Sequence, residues 1–408
     1  MRDLNDIILD LIKMREDRKP PMTLLAVCPN SSAVLEAAVN AAAKNRSVML
    51  FAATLNQVDF EASYTGWTQA AFVHEMQEYA AKYKWAGPLY PCLDHGGPWL
   101  KDMHTLANLT YDETMEKVKS SISACIRAGY KLLHIDPTVD RTQPADQILP
   151  LELVVQRTVE LIEHADKERC ANGLPKLAYE VGTEEVHGGL VDIHRFEAFL
   201  DLLKDALSLR NLIECWPCLL VAQIGTDLHT TLFKPEVAKQ LYQVVKVRGS
   251  LVKGHYTDWV ETPQDYPRSG MGAANVGPEF TAQEYNALQE LEGQERELCH
   301  PVHPSQFMHT LQNAVIDSGR WKKWLIPGEK GSGFENLTPD RKDWLLKTGS
   351  RYIWTDLRVI DARESLYRNL ERAGIDAHAY VLGQITQVIE KYIRAFNLVN
   401  SVDVLGMS

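Results

Sequence analysis

The 408-residue chain has no run of about 18 consecutive apolar residues, so nothing in it predicts a membrane span. Residues 1–18 mix charges with Ile and Leu at helical spacing and lack the apolar stretch of a signal peptide, which makes the cytoplasm the expected location. Positive charge is in short supply. Lys and Arg number 43 against 54 Asp and Glu, a net charge of −11, which excludes a basic nucleic-acid surface but leaves room for a locally positive pocket. The cysteine count is seven, an odd number without a secretion signal, and predicts reduced thiols. Cys215-Trp216-Pro217-Cys218 has redox spacing, but it precedes a strand where a redox motif would follow one, so a structural turn is expected. No second such pair exists to build a zinc knuckle. Repeats, low-complexity linkers and a Gly-rich phosphate loop are also missing; the first strand is followed by Cys28-Pro29-Asn30-Ser31-Ser32, which argues against an open nucleotide-binding sheet.

What is present is alternation. Apolar, often β-branched runs predict strands over 22–27, 47–53, 88–93, 130–135, 176–181, 219–224, 250–253 and 271–276. Helical patterns fall between them, clearest over 112–128 and 151–166. Eight such units predict an α/β fold, a (β/α)8 barrel preceded by an N-terminal helix and spanning about residues 1–290. Beyond residue 282 the strand pattern stops. Helices are expected over 282–300, 304–318, 341–347, 357–373 and 377–397, with an exposed loop over 327–338. Residues 291–408 thus read as a helical extension packed on the barrel.

In a barrel of parallel strands the carboxyl ends of the strands form the catalytic face. Leu93-Asp94-His95-Gly96-Gly97-Pro98 sets a carboxylate beside an imidazole at the third such end. Leu133-His134-Ile135-Asp136 ends the fourth strand, and strand alternation turns His134 and Asp136 to one face. The fifth runs through Glu180 to Gly182-Thr183-Glu184-Glu185-Val186-His187-Gly188-Gly189; either Glu180 or Glu184 can serve as base or metal ligand there, with Glu184 preferred. The sixth carries Gln223, Asp227 and His229, and the seventh His255 and Asp258. Three histidines at three strand ends, His95, His229 and His255, suit one divalent transition-metal ion such as Zn²⁺, with Mn²⁺ or Co²⁺ as alternatives. Asn275-Val276-Gly277-Pro278 ends the eighth strand, a turn able to offer backbone N–H groups to a phosphate or carboxylate.

Taken in order, several short motifs resemble the family of the non-catalytic (Z-type) subunit of class II D-tagatose-1,6-bisphosphate aldolase, which includes epimerases acting at C4 of ketose phosphates. They are Asn56-Gln57 with Tyr64-Thr65-Gly66, then Asp94-His95 with Gly97-Pro98, Leu133-His134-Ile135-Asp136 and Gly182-Thr183-Glu184 with Gly188-Gly189. His255 with Thr257-Asp258, Val276-Gly277-Pro278, Arg351-Tyr352-Ile353-Trp354 and Arg358-Val359-Ile360 complete the set. The resemblance implies a barrel of the class II aldolase type, a metal held by His95, His229 and His255, and acid/base work by Asp94 and Glu184. Asn56, Gln57, Asp136, Gln223, Asp258 and Asn275 are the expected substrate-binding residues. The expected function is metal-dependent epimerisation of a ketose or ketose phosphate. The alternatives are a non-catalytic partner of a separate aldolase chain and a lyase acting on a sugar or sugar acid. Beyond a small sugar or sugar phosphate and an aldolase chain, a homo-oligomer is compatible with the barrel exterior. The chain departs from the family pattern at Cys28-Pro29-Asn30-Ser31, at Ala62-Ser63 and between Glu184 and Gly188, so a substrate other than the family's best-known one is expected. Gly331-Ser332-Gly333 is too short for a kinase phosphate loop.

Overall fold

The strands of the chain are short, buried and mostly apolar, as fits a parallel sheet covered by helices. The structure, a computed structural model, describes residues 2–61, 63–144, 148–182, 190–227, 232–299 and 303–407. Eight parallel strands close into a barrel in sequence order: β1 (Leu24–Val27), β2 (Met49–Thr54), β3 (Leu89–Gly96), β4 (Leu132–Ile135), β5 (Ala178–Gly182), β6 (Leu219–Val221), β7 (Leu251–Gly254) and β8 (Met271–Val276). The ring is completed by β8 beside β1, with Ala26 opposite Asn275 and Val27 opposite Val276. The predicted sixth strand is shortened to three residues, because the chain leaves the ladder after Val221 and Ile224 instead bridges Leu190.

The helix α1 (Leu4–Glu16) lies where the strands begin: its Arg15 guanidinium donates to the carbonyls of Met22, Pro267 and Met271, which flank β1 and β8. Around the barrel run α2 (Ser32–Asn45), α3 (Gln69–Lys82), α4 (Tyr111–Ala128), α5 (Leu151–Ala171), α6 (Ile193–Leu209), α7 (Pro235–Lys246) and α8 (Pro278–Gln294). Local signals set their limits. Thr110 and Glu113 form a capping box that opens α4, and Gly129 at φ +92° closes it in the left-handed conformation that glycine tolerates. Proline occupies the first turn of α7 and α8, where its missing N–H costs nothing. That is why α8 starts at Pro278, four residues before the sequence-predicted start.

Four longer helices follow, α9 (Phe307–Ser318), α10 (Pro339–Gly349), α11 (Leu357–Arg372) and α12 (Ala377–Ala395), and then a single turn over Ser401–Val404. α9, α11 and α12 share one continuous apolar core with the barrel, in which Ile385, Ile389 and Ile393 of α12 join Val34, Leu35 and Val39 of α2, while Leu345 of α10 sits in a second, smaller cluster with Trp321, Leu325 and Leu337. Polar ties reinforce the seam: His378 of α12 meets Glu36 of α2 at 3.1 Å, and Asn400 N donates to Asn45 O at 2.8 Å. Residues 327–338 are exposed for the most part, as expected, and carry two single 3₁₀ turns, Pro327–Glu329 and Phe334–Asn336. Cys215 and Cys218 are buried free thiols flanking the turn into β6. Among the described residues, no helix is long and apolar enough to cross a membrane.

One buried acid makes the fold pH-sensitive. Glu284 of α8 accepts a 2.6 Å hydrogen bond from Ser31, the N-cap of α2, and burial pushes its carboxyl from an ordinary 4.5 up to about 7. Between those values the native state keeps a proton that the unfolded chain has lost, so stability from this site falls as pH rises from about 4.5 to 7. The shift corresponds to about 3 kcal/mol. Glu284→Gln, which keeps the partner for Ser31, should therefore raise the melting temperature at pH 8 and change it little near pH 4. A melting difference that is the same at both pH values would contradict the assignment.

Candidate active site

Residues adjacent in a strand point to opposite faces, so Asp94 and His95 should not both enter the barrel mouth. They do so because β3 ends irregularly. The register with β4 shifts between Leu93 and Gly96, and His95 takes φ +50°. Such a bulge re-aims a side chain at the rim of a barrel. Gly97 then passes so close to β4 that an added Cβ would lie 1.7 Å from the Asp136 carbonyl oxygen, which accounts for glycine at that position.

Alternation on the other strands supplies the rest. His134 from β4, Glu180 from β5, Lys253 from β7 with His255 just beyond it, and Asn275 from β8 converge on Asp94. Single ligand atoms of Asp94, His95, His134 and His255 all lie within 4.8 Å of one another. The rings pack edge to face or tilted, with centroids 4.7 Å apart for His95 and His255, 4.8 Å for His95 and His134 and 5.3 Å for His134 and His255. All but His95 are buried.

Beneath this group sits a salt-bridge network centred on Lys253 and Glu180, neither of which is exposed to solvent. Lys253 Nζ donates to Glu180 at 2.7 and 3.0 Å and approaches Asp94 Oδ1 at 3.5 Å. Glu180 Oε1 also meets His255 Nε2 at 3.1 Å and His134 Nδ1 at 3.5 Å. Burial alone would neutralise Asp94. The Lys253 ammonium and the imidazoles around it outweigh that and hold its carboxyl well below the usual range. Glu180 is likewise opposed by burial but held at about 2 by Lys253 and the two histidines. Asn275 Nδ2 lies 3.2 Å from each Asp94 oxygen and fixes the plane of the carboxylate.

His95 is oriented from behind. Its Nδ1 lies 2.7 Å from Asp136 Oδ2, while Asp136 Oδ1 accepts from Thr138. A carboxylate behind an imidazole fixes its tautomer and leaves Nε2 for a ligand, the arrangement usual at metal-binding histidines. His95 N lies 3.2 Å from His134 Nδ1, which is also 3.5 Å from Asp94 Oδ1. A donor set of imidazoles with one carboxylate fits a transition-metal cation.

The sequence-predicted residues divide by environment. Asp94, His95 and His255 meet, and His134, read from the sequence only as inward-facing, joins them. His229 and Glu184 lie outside the described residues, as do His187 and Gly188-Gly189. Glu180, the less favoured carboxylate of its strand end, is in the network. Asn56, Gln57, Asp136, Asp258 and Asn275 line a cavity of about 810 Å³ over the cluster. Within it Asn56 clamps Leu100 and Asp102, and Gln57 clamps Thr54, Pro29 and Asn30. Gln223 is not among the lining residues. The Gly277-Pro278 turn does not present its N–H groups to the cavity: Asp258 Oδ1 accepts from Gly277 N at 3.0 Å and Glu279 N at 2.8 Å. Burial raises the Asp258 carboxyl to about 7 despite those bonds. Sequence reasoning missed Lys253 and Asn30. Lys253 was detectable, because it precedes His255 by two residues and so shares its face.

The family model for "D-tagatose-1,6-bisphosphate aldolase subunit GatZ/KbaZ-like" matches residues 8–400. The chain belongs to the GatZ/KbaZ-like family. The solved structure of a probable tagatose 6 phosphate kinase from Sinorhizobium meliloti is similar at a TM-score of 0.74 with 18% identity, covering 91% of this chain and 100% of that one. A fructose-bisphosphate aldolase from Campylobacter jejuni is similar at a TM-score of 0.56 with 13% identity, covering 97% and 94%. These likenesses show the fold, a (β/α)8 barrel.

Proposed function

We propose that this GatZ/KbaZ-like chain serves as a subunit of a tagatose-bisphosphate aldolase assembly, beside a separate class II aldolase chain. The family match over residues 8–400 carries this reading. It fits the findings better than the epimerase expected from the sequence. Co-expression with a class II aldolase chain tests it. Co-purification, with higher activity or longer life of the aldolase than it has alone, is expected. An aldolase that neither binds the chain nor changes in its presence would contradict it.

A second reading is favoured by one observation: the Asp94, His95, His134 and His255 group buried in this chain's own barrel. A scaffold gains nothing from burying these charges, which are costly to desolvate. In this reading the chain also turns over a ketose or ketose phosphate, by C4 epimerisation or by aldol cleavage of a sugar or sugar acid. The hydrogen on C4 of a 2-ketose is β to the carbonyl and not acidic, so direct deprotonation is a poor route. Removing the C4 hydroxyl proton instead lets C4 become an aldehyde as the C3–C4 bond breaks. The bonding pair passes to C3 and the carbonyl. Rotation of the aldehyde and re-formation of the bond give the C4 epimer; release of both fragments gives lyase activity.

Asp94 is the base for the hydroxyl proton: it is ionised, held in plane by Asn275 and set at the cavity floor. Asp136 fixes His95, and the Glu180–Lys253 pair fixes His255 and balances the charge. His95, His134 and His255, beside Asp94, would hold a divalent cation, which would supply Lewis-acid stabilisation of negative charge. His229 as a further ligand and Glu184 as a second acid/base retain the roles expected from the sequence, and Zn²⁺, Mn²⁺ and Co²⁺ all suit the donor set. Nuclear magnetic resonance of the isolated chain with free and phosphorylated ketoses tests this reading. A chelator-sensitive C4 epimer, or free aldehyde, is expected; silence across the panel leaves the subunit reading alone.

A further inference from the structure

The helical extension does more than cover the barrel: it completes the cavity with a set of cations that the mechanism above does not use. Arg320, Lys323, Lys330 and Arg351 line it, with Asp102, Asp227 and Asp258 among its carboxylates. Arg320 and Lys323 share Asp102, at 2.8 and 2.9 Å. Lys330 is exposed and makes no ion pair among the described residues. Two of these cations thus share one carboxylate, and Lys330 and Arg351 make no ion pair among the described residues, in a chain whose net charge is −11.

Arg351 is the most telling of them. It is only 5% exposed, yet no described carboxylate lies within ion-pair distance, and its Nη1 has no hydrogen-bond partner. A buried guanidinium with an unused donor is costly unless something pairs with it. It is also held rigidly. The Trp324 and Tyr352 rings flank it at 4.7 and 4.8 Å, its Nη2 meets the Tyr352 hydroxyl at 3.1 Å, and Trp324 Nε1 donates to that same hydroxyl. Asp258, another lining carboxylate, has Oδ1 committed to the start of α8.

We propose that Arg351, with Lys330 beside the cavity, forms an anion-binding pole that takes a terminal phosphate or carboxylate of the ligand whose polyol end faces the Asp94 cluster. A planar guanidinium with free donors suits either oxyanion. The polyol half of the statement rests on the sugar reading above; the anion half does not.

The full chain is titrated by calorimetry with inorganic phosphate, fructose, fructose 6-phosphate and glucuronate. Wild type, Arg351→Gln and the exposed-site variant Lys330→Gln are compared. Inorganic phosphate or fructose 6-phosphate should bind the wild type, weakened at least about ten-fold by Arg351→Gln and about three-fold by Lys330→Gln. Fructose should bind all three chains alike. If glucuronate alone shows this dependence, the pole stands with carboxylate as its anion. Anion affinities equal in all three chains, or no anion binding to the wild type, would overturn it. Because Lys330 is exposed, its variant keeps the test valid if Arg351→Gln does not fold. Failure of the sugar reading looks different: inorganic phosphate still binds in an Arg351-dependent way while no sugar does.

Discussion

Asp94→Asn is expected to leave the metal centre loaded while turnover falls by about 10²–10⁴-fold, the loss typical of removing a positioned acid/base group. The size follows from the surroundings. Asp94 is 4% exposed, its plane is fixed by Asn275, and Lys253, His95, His134 and His255 hold it ionised. Asparagine keeps the shape and removes only the proton acceptor, while three imidazoles remain to hold a cation. The comparison is made on the chain alone and beside an aldolase chain, with metal content measured on the same samples. Turnover at the wild-type rate would remove Asp94 from the chemistry. Loss of metal together with turnover would make Asp94 a ligand, not a base.

Lys253→Met is expected to be the most destabilising substitution in the barrel, by about 3–5 kcal/mol, because it leaves buried carboxylates without their cation. Glu180 is fully buried and receives both close contacts from Lys253 Nζ, with Asp94 the next neighbour. Chemical denaturation of chelator-treated protein measures the loss without compensation by a cation. Adding Glu180→Gln to Lys253→Met should recover part of it, since the neutral amide no longer needs a counter-charge. A single variant as stable as the wild type would mean that the pair contributes nothing, and a double variant worse than the single would mean that Glu180 does not depend on Lys253.

Much of this was legible from residue order. Apolar runs alternating with helical patterns gave the eight strands, and the Asp94-His95 step marked the mouth of the barrel. The inward set of His134 and Asp136 followed from alternation alone. The Glu180–Lys253 pair was harder to see, because 73 residues separate its members and only closure of the barrel brings their strands to one interior. A lysine inside a strand also reads locally as a polar interruption. Arg351 was visible as part of a motif, but nothing in its neighbourhood in sequence reveals that the extension folds back over the mouth, where it joins Trp324 and Tyr352. The turn after β8 misled for a different reason. Its Gly277 and Glu279 N–H groups are taken by Asp258, from the loop after β7, a contact that residue order does not reveal.

The central claim is that His95, His134 and His255, beside Asp94, form a divalent-metal centre, and metal binding by the full chain tests it most directly. Wild-type protein, stripped with chelator and dialysed against Zn²⁺, Mn²⁺ or Co²⁺, should retain about one ion per chain, and His134→Ala and His255→Ala should each weaken binding at least about 100-fold. Wild-type protein that retains no ion, or variants that retain it with unchanged affinity, would contradict the account.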